Sequence, residues 1–219
     1  MLHRLALTLN LCVLAAAPLS AADPLDSVYA HIDTAAKSFK GLSADITNTQ
    51  HTALVDSDDT QTGTFKISRN KPGQTRLLIT LGGQSISVDP QEGKIYNPKT
   101  NTVDTKNINQ SLVNQLLELG FGSTSTEIKD AYEVTYVGEE QVGAQHTSHL
   151  KLLPKSPDTK RQLKQADLWY TDSGLAAQQK FLFPAGDYKL VKYSNVKPGT
   201  FADKDLEIKL PSGVKIQKH

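Results

Sequence analysis

The 219-residue sequence predicts a mainly β protein of the α+β class. The expected architecture is an incomplete antiparallel β-barrel of about 10–11 strands, covered by an N-terminal helix and a short lid helix. Three observations predict it. Apolar and polar residues alternate along most of the chain, turn residues separate these runs at near-regular intervals, and two segments instead repeat apolar residues every three or four positions.

Residues 1–22 have the layout of a secretory signal peptide. The basic segment His3-Arg4 precedes an apolar run over residues 5–17, and the small residues Ser20-Ala21-Ala22 follow. The run is shorter than the about 20 residues that a membrane-spanning helix needs. We therefore expect export to the periplasm, cleavage after Ala22, and one domain over residues 23–219.

The first periodic segment predicts an amphipathic helix. Asp23 can cap it, Pro24 suits the first helical position, and Gly41 ends it. The apolar positions lie three or four residues apart, which places them on one stripe that must pack on the rest of the domain. They are Leu25, Val28, Tyr29, Ile32, Ala35, Ala36 and Phe39.

From Leu42 onward the apolar period falls to two, which predicts short strands. Turn signals such as Gly82-Gly83 and Asn97-Pro98 separate the strands. The alternating sets are Leu42, Ala44 and Ile46; Phe65 and Ile67; Ile86 and Val88; Tyr132, Val134 and Tyr136; and Leu206, Ile208 and Leu210. Two apolar runs, Leu77-Leu78-Ile79 and Leu168-Trp169-Tyr170, predict strands buried on both faces.

Residues 109–122 return to helical spacing, with Asn109 as a suitable cap. A closed barrel filled by its own side chains has no need of such an apolar helix. The helix therefore either covers an apolar inner face as a lid or plugs the core permanently, and the sequence leaves both open.

Composition excludes several function classes. With 24 basic and 23 acidic residues the formal charge is +1, so nucleic acid is not an expected partner. The one Cys lies in the signal segment, which leaves no disulfide, thiol nucleophile or thiolate metal site. His146 and His149, three apart on a strand, point to opposite faces and cannot chelate one ion. We predict no catalytic residues, no metal and no cofactor.

Several short motifs, in order along nearly the whole mature chain, resemble the outer membrane lipoprotein carrier (LolA-type) family. Each motif is weak alone, and their order and spacing carry the resemblance. They are residues 41–46, residues 63–69 running into Lys71-Pro72, Val88-Asp89, residues 94–98, residues 152–155, Leu168-Trp169, residues 193–196, Phe201 and residues 210–215.

The resemblance implies a periplasmic carrier of acylated lipoproteins, which takes cargo from an inner-membrane lipoprotein release complex and delivers it to an outer-membrane acceptor. It also implies a strand arginine that hydrogen-bonds to the lid and holds the empty form closed. Arg69 is the nearest positional match, and Arg76 on the next strand competes with it. We expect a monomer without a cofactor.

A lipid-binding surface follows as a hypothesis, with ordinary core packing as the alternative for each residue. The inner face of the lid is predicted to carry Leu112, Val113, Leu116, Leu117 and Phe121. The concave wall is predicted to carry Phe65, Ile67, Leu77, Ile79, Trp169, Phe181 and Phe183. Alternative functions are a carrier of another lipid or glycolipid, an envelope-stress lipid-sensing domain, and a lipid hydrolase.

Overall fold

The computed structural model describes residues 23–71, 74–106 and 119–218. Its helices are α1 (Pro24–Ser38), α2 (Ser125–Ala131) and α3 (Pro157–Lys160), with 3-10 turns at Ala53–Val55 and Asp203–Leu206. The strands are β1 (Gly41–Thr52), β2 (Ser57–Lys71), β3 (Gln74–Leu81), β4 (Gln84–Val88), β5 (Gly93–Asn97), β6 (Thr102–Lys106), β7 (Tyr132–Val142), β8 (Gln145–Pro154), β9 (Gln165–Tyr170), β10 (Ala176–Leu182), β11 (Tyr188–Pro198) and β12 (Lys215–Lys218).

Helix α1 forms where the periodicity predicts it. The Asp23 carboxylate accepts a hydrogen bond from the Leu25 N–H at 3.0 Å, and Pro24 occupies the first turn. Val28, Tyr29 and Ile32 are buried against the sheet. Burying one such side chain contributes about 1.5–3 kcal/mol, so this stripe fixes the helix on the sheet.

The strands in the described residues form one sheet in the order β12-β6-β5-β4-β3-β2-β1-β11-β10-β9-β8-β7. Every neighbouring pair is antiparallel except β12 and β6. The end strands, β12 and β7, do not pair with each other within the described ranges, so the sheet remains open. The predicted fold class, a mainly β incomplete barrel, is confirmed.

The strand count is twelve in the described residues, slightly above the predicted number. One predicted strand is wrong. The alternation at Leu206, Ile208 and Leu210 does not pair with the sheet, because Leu206 ends a 3-10 turn and is buried, whereas Leu210 is exposed. The last strand is instead β12, which pairs in parallel with β6.

The register defines two faces. We call the face that packs under α1 the inner face, and Leu42, Ile67 and Leu77 lie opposite one another on it. The C-terminal segment crosses the other, outer face, where the Lys66 ammonium lies 5.8 Å from the centre of the Phe201 ring. Each strand therefore sends alternate side chains to a packed inner core and to this outer layer.

Helix α2, which the sequence did not predict, is tied to α1. The Asp33 carboxylate accepts hydrogen bonds from the Ser125 N–H at 2.7 Å and its hydroxyl at 2.8 Å. Thr124 and Glu127 form a capping box that starts the helix. In the described part of the chain, no helix combines the length and the apolar character that crossing a bilayer requires.

Candidate functional site

A cavity of about 270 Å³ opens on the inner face over six adjacent strands, from β4 to β10 in the sheet order. Its lining is mainly aliphatic and aromatic, and its polar groups among the described residues are the Asn48, Gln179 and Lys189 side chains and the Tyr193 hydroxyl. The lining residues are Ile46, Asn48, Phe65, Ile79, Leu81, Ile86, Gln179, Phe181, Phe183, Lys189, Val191 and Tyr193. Apolar lining with few polar groups is typical of a small-molecule site.

Strand register brings these side chains together from distant parts of the sequence. On one side of β1, Phe65 lies opposite Ile79, which lies opposite Ile86. On the other side, Ile46 lies opposite Tyr193. Because directly paired residues share a face of the sheet, the side chains of these five residues form one continuous apolar surface.

The polar groups at the base of the cavity are hydrogen-bonded. The Tyr193 hydroxyl donates to Oε1 of Gln179 at 2.7 Å, and the Gln179 amide donates to the carbonyl of Leu119. Burial raises the pKa of the Tyr193 phenol because the charged form would lose its hydration. The base is therefore neutral, and it ties β10 and β11 to the segment that begins at Leu119.

Phe121 is the one predicted lid residue in the described part of the chain, and it is buried. Its ring lies 5.8 Å from that of Phe65 and 4.8 Å from that of Tyr193, measured between centroids. The adjacent Gly120 carbonyl accepts a hydrogen bond from the Ala176 N–H at 3.1 Å. Phe121 therefore packs beside two lining residues and belongs to the core of this inner face.

Arg69, on the inner face of β2, lies against the same segment. A Cβ atom added at Gly122 would fall 1.9 Å from Nη2 of Arg69, and the guanidinium lies 5.6 Å from the centre of the Phe39 ring. Nε and Nη2 of Arg69 are buried and have no hydrogen-bond partner among the described residues. Arg69 thus sits between the end of α1 and the last residue of the predicted lid segment, Gly122.

The second latch candidate, Arg76, is on the outer face. It pairs with Ser68, the residue before Arg69, so the Arg76 and Arg69 side chains lie on opposite faces of the sheet. The Nε atom of Arg76 lies 3.5 Å from Oδ1 of Asp203. Among the described residues its contact is therefore with the C-terminal segment, on the face opposite to Arg69.

Four of the seven predicted wall residues meet around the cavity: Phe65, Ile79, Phe181 and Phe183. Ile67 and Leu77 are on the same face but are fully buried in the core under α1. The structure thus separates a row of inner-face residues that line the space from a row that packs solidly beside it.

Trp169 corrects the predicted wall, because it lies on the outer face. Its ring stacks on His149 at 4.2 Å between centroids, and its indole N–H donates to Oε2 of Glu140 at 2.7 Å. Its neighbours in the strand, Leu168 and Tyr170, take the inner face. The run Leu168-Trp169-Tyr170 contains no charged residue, so the sequence alone gave no basis for assigning its faces.

Sequence reasoning missed several lining residues. Ile46 and Ile86 belong to predicted strands, and the alternation would have found them once the register was known. Lys189 and Asn48 carried no signal, since a polar residue on a strand is normally expected on the outer face. Leu112, Val113, Leu116 and Leu117 lie outside the described residues, and their place in a lid stays a prediction.

Other features of the described residues are weaker candidates. His149 holds its Nδ1 2.8 Å from Glu140 and its Nε2 3.0 Å from Asp167, but no group of three side chains in the described ranges could hold a metal ion. A more open depression of about 450 Å³ lies near Phe39 and Pro198, and serine, threonine and lysine side chains share its lining. The inner cavity is the better apolar site.

This chain was compared with known protein families, curated proteins and solved structures. The family model for the outer membrane lipoprotein carrier protein LolA matches residues 37–209. No curated protein matches the chain.

Solved structures share the fold. The crystal structure of MucB is similar over 87% of this chain, with 14% identity and a TM-score of 0.52, and this chain spans 64% of the length of MucB. An uncharacterized conserved protein from Thermus thermophilus is similar over 90% of this chain and all of its own, with 9% identity and a TM-score of 0.54. At these identities the likeness concerns the fold alone.

Proposed function

The chain belongs to the outer membrane lipoprotein carrier (LolA) family, and from that premise we propose that it shields the acyl chains of lipoproteins and moves them from the inner to the outer membrane. The observation that carries the proposal is the apolar cavity on the inner face of a sheet that is open at its ends. In this proposal the protein acts in the periplasm as a monomeric carrier and catalyses no reaction.

The physical requirement is that acyl chains be hidden from water without being held too tightly. Each methylene in water costs about 0.8 kcal/mol, so roughly 12 kcal/mol is at stake for about fifteen methylenes. Full recovery of that energy would give a nanomolar complex that releases cargo slowly. A cavity of about 270 Å³ is smaller than most drug-sized pockets and covers part of a chain, which favours release.

The partners follow from this role. Acylated lipoproteins are the cargo, an inner-membrane release complex is the donor, and an outer-membrane acceptor receives the chains. Arg69 is the proposed latch in the empty carrier, since its Nε and Nη2, which have no hydrogen-bond partner among the described residues, lie beside the segment that follows residues 109–118. Cargo that moves this segment would change the surroundings of the guanidinium.

The decisive experiment is extraction of a purified acylated lipoprotein from vesicles. We expect the protein to bring it into solution as a one-to-one complex, detected by size-exclusion chromatography. Ile86→Glu places a charge in the cavity and is expected to abolish extraction. Ser87→Glu is the matched control, because its side chain lies on the opposite face of the same strand.

Two results would overturn the proposal. One is the absence of any soluble complex with wild-type protein. The other is equal extraction by wild type and a folded Ile86→Glu variant, because the chains would then bind elsewhere.

A second candidate is a carrier of a free lipid rather than a lipoprotein. The polar side chains Asn48, Gln179 and Lys189 favour it, since a single chain with its own headgroup would meet both parts of the lining. Native mass spectrometry of the protein purified from its own cells separates the candidates by the mass of the bound molecule.

A further inference from the structure

Lys189 is the one charged side chain among the described residues that line the cavity. On β11 it lies directly opposite Phe181, and Val191 follows on the same face, so apolar groups flank its stem. Across the other ladder it lies opposite Gln50, an exposed residue. Lys189 therefore stands at the border between the apolar lining and solvent.

No ion pair in the described part of the chain neutralises this lysine. Asp187, the nearest acidic residue in sequence, instead accepts a hydrogen bond from the Ala53 N–H at 2.8 Å. Although Lys189 as a residue is exposed, partial burial lowers the pKa of its ammonium, whereas a paired carboxylate would raise it. The charge is thus partly desolvated without compensation.

An uncompensated cation beside an apolar space is costly in the empty protein, and an anionic oxygen removes that cost. We propose that the occupant of this cavity is an amphiphile whose hydrocarbon chain fills the apolar lining and whose anionic headgroup binds the Lys189 ammonium. This inference rests on the free-lipid candidate of the proposed function, because it assumes that the cavity binds an acyl chain with its own headgroup. It adds the chemical class of the headgroup, a carboxylate or a phosphate.

The remaining polar lining fits this orientation. The Tyr193 hydroxyl is hydrogen-bonded to the Gln179 side chain, and neither group is charged. The base of the cavity therefore has no charged group that could bind a headgroup. Lys189 lies four residues before Tyr193 on the same face of β11, and Val191 lies between them. The hydrocarbon chain of the amphiphile therefore points toward Tyr193 and Phe65, and its headgroup remains near solvent.

The test measures binding of four probes to the full mature protein by calorimetry: dodecanoate, dodecyl phosphate, dodecanol and inorganic phosphate. We expect at least one anionic amphiphile to bind about tenfold or more tightly than dodecanol, as a charge-assisted hydrogen bond implies. Inorganic phosphate alone is expected not to bind. The anion that binds more tightly identifies the headgroup.

Variants assign the preference to the lysine. Lys189→Met should lose the preference for the anion over dodecanol, whereas Lys189→Arg should keep it. Lys192→Met is the control, since Lys192 is an exposed lysine on the other face of the same strand. If a variant fails to fold, added salt in the wild type tests whether the preference is electrostatic, because screening should then weaken anion binding selectively.

The outcomes separate this inference from the proposed function. Equal affinity for dodecanol and the anions, or an anion preference that survives in Lys189→Met, overturns the headgroup inference and leaves the carrier proposal standing. If none of the amphiphiles binds, the headgroup inference and the free-lipid candidate both fail, and lipoprotein extraction still decides the carrier proposal.

Discussion

The ring of Phe121 meets the ring of Tyr193 edge-on, with centroids 4.8 Å apart and an angle of 85° between the ring planes. Phe121 belongs to the end of the segment predicted as a lid, residues 109–122, and Tyr193 lines the inner cavity. This aromatic contact therefore joins the chain leaving residues 109–118 to the wall of the candidate binding site. The edge-to-face geometry adds about 0.5–1.5 kcal/mol to the burial of the two rings.

Removing the Phe121 ring should lower the stability of the fold. Phe121→Ala is expected to lower the free energy of unfolding by about 3–5 kcal/mol, because it leaves a void beside Phe65 and Tyr193. Urea denaturation measures the loss, and Phe121→Leu should recover a large part of it. A loss below about 1 kcal/mol for Phe121→Ala would contradict the placement of this ring in the core.

Stability should fall in alkali because of buried phenols. Burial raises the pKa of Tyr132 from 10.0 to about 12, so above pH 10 the unfolded chain releases a proton that the folded chain retains. Stability is therefore intact below pH 10 and falls as the pH rises toward 12. Between pH 10 and pH 12, the free energy of unfolding of Tyr132→Phe is expected to fall by about 2 kcal/mol less than that of the wild type.

The same substitution has a second expected result at neutral pH. The Tyr132 hydroxyl is buried without a hydrogen-bond partner among the described residues, so its removal should change the unfolding free energy by less than about 1 kcal/mol. A larger loss would show that the hydroxyl has a partner. Urea denaturation at pH 7 and pH 12 checks both statements.

The outer-face cluster should respond to acid. Hydrogen bonds from the Trp169 indole and from His149 lower the pKa of Glu140 below its ordinary value of 4.5. The folded state then holds the carboxylate more strongly than the unfolded state does, so this contribution is present above pH 4.5 and is lost as the pH falls below it. Its size is small, because the Glu140 side chain is largely exposed.

Fluorescence can follow this change, since Trp169 is the only tryptophan of the sequence. We expect its emission to change as the pH falls below 4.5, before global unfolding. Glu140→Gln should show an altered spectrum already at neutral pH, whereas Glu139→Gln should resemble wild type. An unchanged spectrum in Glu140→Gln would contradict the indole contact.

Gly122 should tolerate no side chain. Its φ is +98°, and a Cβ atom would fall 1.9 Å from Nη2 of Arg69. Gly122→Ala is expected to cost about 1–3 kcal/mol of stability. Gly143→Ala is a matched control, because Gly143 also has a positive φ, of +60°, but an added Cβ there would meet no atom within 4 Å.

A double-mutant cycle isolates the contact with the arginine. Combining Gly122→Ala with Arg69→Ala should remove the part of the steric loss that comes from Arg69 and leave the backbone part and the contact with Phe39, so the two effects should not add. Strict additivity would show that Arg69 and Gly122 do not touch.

Local periodicity determined a large part of the fold. Helix α1 was predictable because its cap, its proline and its apolar spacing are all local, and the alternation at Phe65 and Ile67 required a strand whatever its neighbours. The wrong strand at Leu206 shows the limit of this reasoning, since alternation without a pairing partner does not make a strand.

The sequence by itself determined the mainly β class, the leading helix and the apolar character of the inner face, because each depends on the backbone period of a short segment. The tertiary structure alone decided that Trp169 and Arg76 face outward, that Arg69 meets Gly122, and that Lys189 stands in the cavity. The physical reason is that a one-residue change of register reverses every side chain of a strand, and register is fixed by pairing between segments far apart in the chain.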